Sequence, residues 1–188
     1  KALSGGVTID SINAGDTVKL NKTGGLTETI KLKSAVSNGN DPHTTITGLA
    51  SGDKLDYSGA FSGFTSGSFT SQTSTFTVSD TKGYYFNNIE NIDFTEQDLG
   101  KALISAIQAA NSSLSSISIS SSKKAIFALN SGDGNAYLFS VSAGSSTATL
   151  TASTTGATNS GATVKLLAVV DNTIDNNDAI SGGTITFA

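Results

Sequence analysis

Residues 94–111, FTEQDLGKALISAIQAAN, form the one stretch of this chain with a helical period. Apolar residues fall at Leu99, Ala102, Leu103, Ala106, Ile107 and Ala110, the i, i+3, i+4, i+7 spacing of a single buried stripe. Thr95 stands where an N-cap is needed, and Asp98, three residues on, completes a capping box. Phe94 is placed to pack on Leu99 as a hydrophobic staple. Glu96 and Asp98 put negative charge at the positive end of the helix dipole. Gly100 interrupts the pattern at a cost of roughly 1 kcal/mol relative to Ala. The spacing predicts one amphipathic helix over about 95–111, whose core of residues 96–110 is about 22 Å long at 1.5 Å per residue. Its stripe is Ala-rich and has no basic or aromatic flank, so its expected role is packing on a sheet and not binding a membrane surface.

Outward from the helix, both flanks read as short strands. Upstream, residues 7–10, 17–20, 28–33, 44–46, 54–57, 70–78, 84–86 and 89–94 alternate apolar and polar side chains between Gly, Asn and Asp turns. Residues 37–43, SNGNDPH, are a strong turn around the only proline. Downstream, strands are expected at 124–129, 136–141, 147–152, 163–170 and 184–187, with SGDGN at 131–135 as a hairpin turn. The unbroken run Leu166–Val170 predicts a strand covered on both faces, with the helix on one of them. Residues 112–122 read as a serine-dense connection and 153–162 as a low-complexity loop. The fold class is therefore mainly β, a β-sandwich or roll-like packing of sheets with one amphipathic α-helix. Residues 1–94 form an N-terminal β-rich half. Residues 95–188 hold the helix and the C-terminal strands, as a second unit or as part of one continuous domain.

Composition narrows the function. The 188 residues carry a net charge of -4, with 14% charged residues, 37% hydrophobic residues and no Cys, Met or Trp. Every basic residue is Lys. An acidic chain without Arg lacks the basic patch that nucleic acid demands. No apolar run approaches the length of a membrane-spanning helix, so no membrane insertion is expected. Without Cys there are no disulfides and no thiolate metal sites. The opening KALSGGVTID is not a secretory signal peptide and lacks an initiator Met, so a fragment or a processed product is expected.

Catalytic motifs are absent. His43 is the only histidine; it stands beside Pro42 with no nucleophile-elbow motif and reads as a surface turn residue. Glu28, Glu90 and Glu96 are the only glutamates, and an aromatic fraction of 7% offers few platforms for sugar stacking. The expectation is a non-enzyme. Aspartates are the more informative group, because calcium takes oxygen ligands from Asp, Asn and backbone carbonyls. Four groups qualify on composition: Asn38–Asp41, Asp53 with Asp56, Asp133 with Asn135, and Asp171–Asp178. None matches an EF-hand loop, and the same residue types are ordinary turn formers.

Residues 46–61, ITGLASGDKLDYSGAF, resemble the I-T-x-F-x-x-G-D-K-L-D-L-S segment that closes the calcium β-roll in proteins exported by type I secretion. In that family an Ala-rich helix follows at a distance. A strand, a Gly-Asp/Asn hairpin with an aromatic strand, an aliphatic strand and a hydrophobic C-terminus come after it. Here ALISAIQAAN, KKAIFAL, GDGNAYLFSV, ATVKLLAVVDN and GGTITFA stand in that order. Over residues 44–188 the chain is similar to the C-terminal region of RTX-type bacterial surface-layer (S-layer) proteins. It departs from them in lacking the glycine-aspartate nonapeptides and in carrying inserts at 62–88 and 143–161. Only Asp53 and Asp56 match the family segment position for position.

The resemblance implies a structural domain of a secreted, self-assembling S-layer protein on the bacterial cell surface. Its partners would be copies of itself and the type I secretion machinery. Calcium is the cofactor to expect, with Asp53, Asp56 and Asp133 as candidate ligands. The alternatives are an adhesin module gripping a glycan or host protein, and the C-terminal fragment of a secreted hydrolase.

Overall fold

The computed structural model describes residues 6–20, 26–64, 66–153 and 155–188. The first residues of the opening segment thus lie outside the described residues, as does Thr154 within 153–162.

Five short strands come first: β1 (Val7–Ile12), β2 (Thr17–Lys19), β3 (Glu28–Leu32), β4 (Thr45–Thr47) and β5 (Lys54–Asp56). β1, β3 and β5 pair in parallel, and so do β2 and β4. The chain therefore winds as a two-walled coil, with odd strands in one wall and even strands in the other. Period-2 alternation sends Ile12, Ile30 and Leu55 inward from one wall and Val18 and Ile46 inward from the other. Turn chemistry makes the first corner: Asn13 N–H donates to Asp16 Oδ2 (2.7 Å), and Gly15 supplies a φ of 88°.

The same winding recurs downstream. β6 (Ser66–Ser71), β7 (Phe76–Val78), β8 (Lys82–Ile89), α1 (Leu99–Ala110), β9 (Ser116–Ile119) and β10 (Lys124–Ser131) follow one another. β6, β8 and β10 pair in parallel, and β7 pairs in parallel with β9. The helix is the link between β8 and β9 in this second coil.

The rest of the chain ties the two coils together. β11 (Ala136–Ala143) returns antiparallel to β10 across the SGDGN turn. β12 (Ala148–Ser153) and β13 (Gly156–Ser160) form a hairpin, and β12 also pairs with β9. β14 (Ala162–Val170) lies between β11 and β4. The hairpin of β15 (Ala179–Ser181) and β16 (Thr184–Thr186) lies between β6 and β5. The product is a curled twelve-stranded sheet, β1-β3-β5-β16-β15-β6-β8-β10-β11-β14-β4-β2, and a four-stranded sheet, β13-β12-β9-β7. Strands from before and after Phe94 alternate in the large sheet. This is the mainly β, single-helix architecture expected from the sequence.

Two apolar cores result. One fills the roll of the large sheet. The other lies between that sheet's opposite face, α1 and the small sheet. β10 feeds both, with Ala125, Phe127 and Leu129 on one side and Ile126 and Ala128 on the other. β14 does the same with Leu166 and Leu167, as anticipated for its apolar run. A bulge at Leu167 lies between the Leu138–Ala168 and Phe139–Leu166 pairs.

Several local expectations are corrected. α1 begins at Leu99, not near 95, because Asp98 is the cap: its Oδ1 accepts from Gly100 N–H (2.8 Å) and Lys101 N–H (3.3 Å). An ionised carboxylate makes a charge-assisted cap that a Thr hydroxyl cannot match. Thr95 is held instead by Asp93, whose Oδ1 accepts from its N–H (2.9 Å) and its hydroxyl (2.6 Å). Phe94 is out of staple position and sets its ring near His43 (4.1 Å between centroids) and Tyr137 (5.8 Å). Residues 89–94 are consequently not a strand beyond Ile89, and 70–78 divides between β6 and β7.

The serine-dense connection holds β9, which buries Ile117 and Ile119 completely. The low-complexity loop is the β12–β13 hairpin. α1 packs on that hairpin as well as on β8 and β14. Gly100 faces the hairpin: a Cβ there would come within 2.6 Å of Asn159 Nδ2 and 3.0 Å of Asp98 Oδ1.

Candidate functional site

The three aspartates singled out for calcium occupy different settings. Asp53 ends the β4–β5 turn and is fully buried. Its Oδ2 accepts from Ala50 N–H (2.8 Å) and its Oδ1 from Glu28 N–H (2.8 Å) at the start of β3. One carboxylate therefore closes its own turn and bolts it to the neighbouring coil of chain. Residues 53, 55 and 57 point inward, so Lys54 and Asp56 point outward. Burial, together with a hydrogen bond to and the charge of Asp53, raises the Glu28 carboxyl above its ordinary value.

Asp56 Oδ1 accepts from Ser58 N–H (3.0 Å) and Oγ (2.6 Å). It lines a surface groove of about 370 Å³ with Asp10, Lys31 and Lys33. Lys31 Nζ lies 3.6 Å from Asp10 Oδ2. Lysines in this groove already supply the positive charge that a cation would bring.

Asp133 tips the β10–β11 hairpin, where Gly134 adopts a φ of 87°. Its Oδ1 accepts from the Ser131 hydroxyl and from Asn135 N–H (3.2 Å). The hydroxyl first, and then the amide, hold its carboxyl below the usual aspartate value. Asp133 shares a cavity of about 490 Å³ with Glu90, Asn88, Ser131 and Tyr137. Two carboxylates, an amide and two hydroxyls make this the most oxygen-rich opening among the three sites. Calcium takes 6–8 oxygens, and among the described residues no three His, Cys, Asp or Glu side chains group closely enough to hold a metal. The set Asp53, Asp56 and Asp133 does not converge.

The remaining Asp/Asn groups also serve the backbone. Asp171 accepts from Gly48 N–H (2.7 Å) and Leu49 N–H (3.2 Å). Asp178 accepts from Asp175 N–H (2.7 Å) and Ala188 N–H (2.9 Å), and burial raises its carboxyl above the ordinary value. Asn38 Oδ1 accepts from Asn40 N–H (3.0 Å). Sequence reading flagged these residues by composition, but their partners lie up to 123 positions away. The Asn38 and Asp175–Asp178 turns are local, whereas no short-range signal could have revealed the partners of Asp171.

His43 is not a free surface residue. Its ring lies against Phe94, its Nε2 is buried without a hydrogen-bond partner among the described residues, and burial lowers its pKa. A cleft of about 210 Å³ between β8 and the end of α1 is lined by Gln72, Asn87, Asn88 and Asn111 over Phe86 and Ile107. Sequence reading did not anticipate it, because its amides come from three separate elements.

Comparison with family models, with characterised proteins and with solved structures finds no match to this chain.

Proposed function

We infer that this chain is a non-enzymatic structural domain of a secreted, self-assembling bacterial surface-layer protein. One observation carries the reading. The stretch that resembles the closing segment of a calcium β-roll, GDKLDYS, lies on the last rung of a two-walled parallel coil, β1 to β5. Asp53 bolts that rung to the one before it. The hairpin β15–β16 then pairs with β5 on one side and β6 on the other, so that rung is continued into the second coil.

Calcium belongs to the same reading. The cavity holding Asp133 and Glu90 is the place where a hard cation would find the most oxygen. The test is assembly followed by electron microscopy in calcium and in a chelator. Ordered two-dimensional arrays support the reading; a chain that stays dispersed under every divalent ion overturns it. Millimolar calcium should raise the melting temperature, since a ligand bound by the native state alone must stabilise it, and Asp133→Asn should abolish the rise.

The second reading, an adhesin module, draws on the amide-lined cleft beside Asn111. Saturable binding on a glycan array, lost in Asn88→Ala, would favour it.

A further inference from the structure

Two openings meet at the C-terminal ends of the parallel strands β6, β8 and β10. The cleft of about 210 Å³ includes Gln72, just after β6, and the cavity of about 490 Å³ includes Asp133, just after β10. Asn88, near the end of β8, lines both. It stands in a bulge: β8 advances from Phe86 to Ile89 while β10 advances only from Leu129 to Ser131. Asn88 there adopts a φ of 61°, a left-handed conformation that few residues other than Gly take up and that Asn tolerates better than most. The bulge breaks the alternation of the strand, so the consecutive Asn87 and Asn88 are both exposed and both line the cleft.

These amides are held in place. Asn130 is 4% exposed, and its Nδ2 donates to Asn87 Oδ1 (2.8 Å) and to Ile174 O (2.7 Å), while its Oδ1 accepts from Ile174 N–H (2.9 Å). A buried amide thus fixes an exposed one, and Asn87 is left to offer its Nδ2 as a donor. Across the cleft, Asn111 Nδ2 donates to Thr73 O (2.6 Å) and its Oδ1 accepts from Ser113 N–H (3.2 Å), which ties the loop after β6 to the end of α1. In the larger opening Asp133 is fixed by Ser131 and Asn135.

We propose that the two openings form one groove that binds a neutral oligosaccharide, with successive sugars on either side of Asn88. The proposal rests on the adhesin reading above and names its ligand class and its full site. Amides and carboxylates fixed in orientation supply the donors and acceptors that adjacent sugar hydroxyls need. The half-buried Tyr137 ring offers an apolar surface for the C–H face of a pyranose. Charge selects against acidic chains and nucleotides, because Glu90 and Asp133 line the larger opening and no Lys lines either one. A peptide finds little to hold. β6, β8 and β10 are each paired on both sides, so they present no free edge to an added strand. Phe86 and Ile107, at 4 and 0% exposure, leave no apolar pocket for an anchoring side chain.

A glycan array carrying neutral oligosaccharides of increasing length beside sialylated and sulfated chains tests this, read in a chelator and again in calcium, with calorimetry on the neutral chain that binds best. Neutral chains should bind saturably in the chelator, and affinity should rise with length as the chain comes to span both openings. Asn88→Gly keeps the left-handed backbone without steric cost and removes the shared amide. It and Asn87→Ala should each weaken binding by at least about tenfold, with circular dichroism unchanged. Glu90→Ala should shrink the gain from length. Affinity that does not grow with length, or a gain indifferent to Glu90→Ala, overturns the single groove. Binding confined to acidic chains, or appearing only in calcium, overturns its chemistry. If neutral chains bind and neither asparagine change weakens them, the groove is wrong while the adhesin reading stands; if no chain binds under either condition, both fall.

Discussion

Replacing Gly100 with Ala should destabilise the protein, although helix propensity alone argues for the opposite. Gly in a helix interior costs about 1 kcal/mol relative to Ala, an upper bound for Gly100 in the first turn of α1, so the local term favours the change. The tertiary term opposes it. A Cβ at position 100 would stand 2.6 Å from Asn159 Nδ2 and 2.9 Å from its Cγ, so Asn159 has to move. Asn159 Nδ2 donates to Asp98 Oδ1 (3.0 Å) and to Ala162 O (3.0 Å), and its Oδ1 accepts from Ala162 N–H (3.0 Å). Three bonds at about 1 kcal/mol each, one of them to the carboxylate that caps α1, come to about 3 kcal/mol. The net expectation is a loss of about 2 kcal/mol, or about 4–8 °C in melting temperature for a chain of this size. Urea titration should show a lower midpoint at unchanged m.

The Asn159→Ala background decides the mechanism. There the obstructing amide is gone, and Gly100→Ala should recover about 1 kcal/mol, a reversal of sign and a coupling of about 3 kcal/mol between the two sites. If Gly100→Ala stabilises the wild type by its full propensity value, the packing of α1 on the β12–β13 hairpin is not as described.

Three further outcomes are expected. Asp53→Ala strands the Glu28 and Ala50 amides inside the coil and should cost about 3–5 kcal/mol, whereas Asp53→Asn keeps one acceptor and should cost about half that; urea melts in a chelator that show equal, small losses would refute the bolt. Tyr57→Phe removes a buried hydroxyl with no partner among the described residues, so stability should hold or rise by up to about 1 kcal/mol; a loss above that in a thermal melt would count against the burial of a lone hydroxyl. Asp178 has a raised folded pKa, so the folded state takes up its proton before the unfolded chain does. Its contribution therefore weakens as pH rises from the ordinary aspartate value through the raised one, and is constant on either side. The wild-type melting temperature minus that of Asp178→Asn should fall across that window; a difference that climbs with pH would reverse the sign and refute the assignment.

Much of the secondary structure was legible because it rests on short-range period. The stripe from Leu99 to Ile107, the alternation in β3, the apolar run of β10, and the Gly134 hairpin each declare themselves within a few residues. β9 and β13 were hidden, since Ser and Thr interleaved with a few Ile and Ala look like loop until a neighbouring strand buries the apolar set. The cap moved from Thr95 to Asp98 because Asp93 takes Thr95 into a turn of its own. The candidate site was less legible than the fold. Asp53, Asp133 and Asp178 could be picked out by residue type, but whether a carboxylate faces a cation or a backbone amide depends on which distant loop lies opposite.

By itself, then, the sequence determined a β-rich chain with one packing helix within residues 95–111, a central apolar strand at Leu166–Val170, and an acidic, Arg-free composition. Only the tertiary structure decided that the strands wind into two parallel coils, that β14 and the C-terminal hairpin join them, and that most of the conspicuous aspartates staple loops. The physical reason is range. Side-chain period is written residue by residue, whereas the pairing of β5 with β16, and of Asp171 with Gly48, is settled by the burial that all twelve strands achieve together.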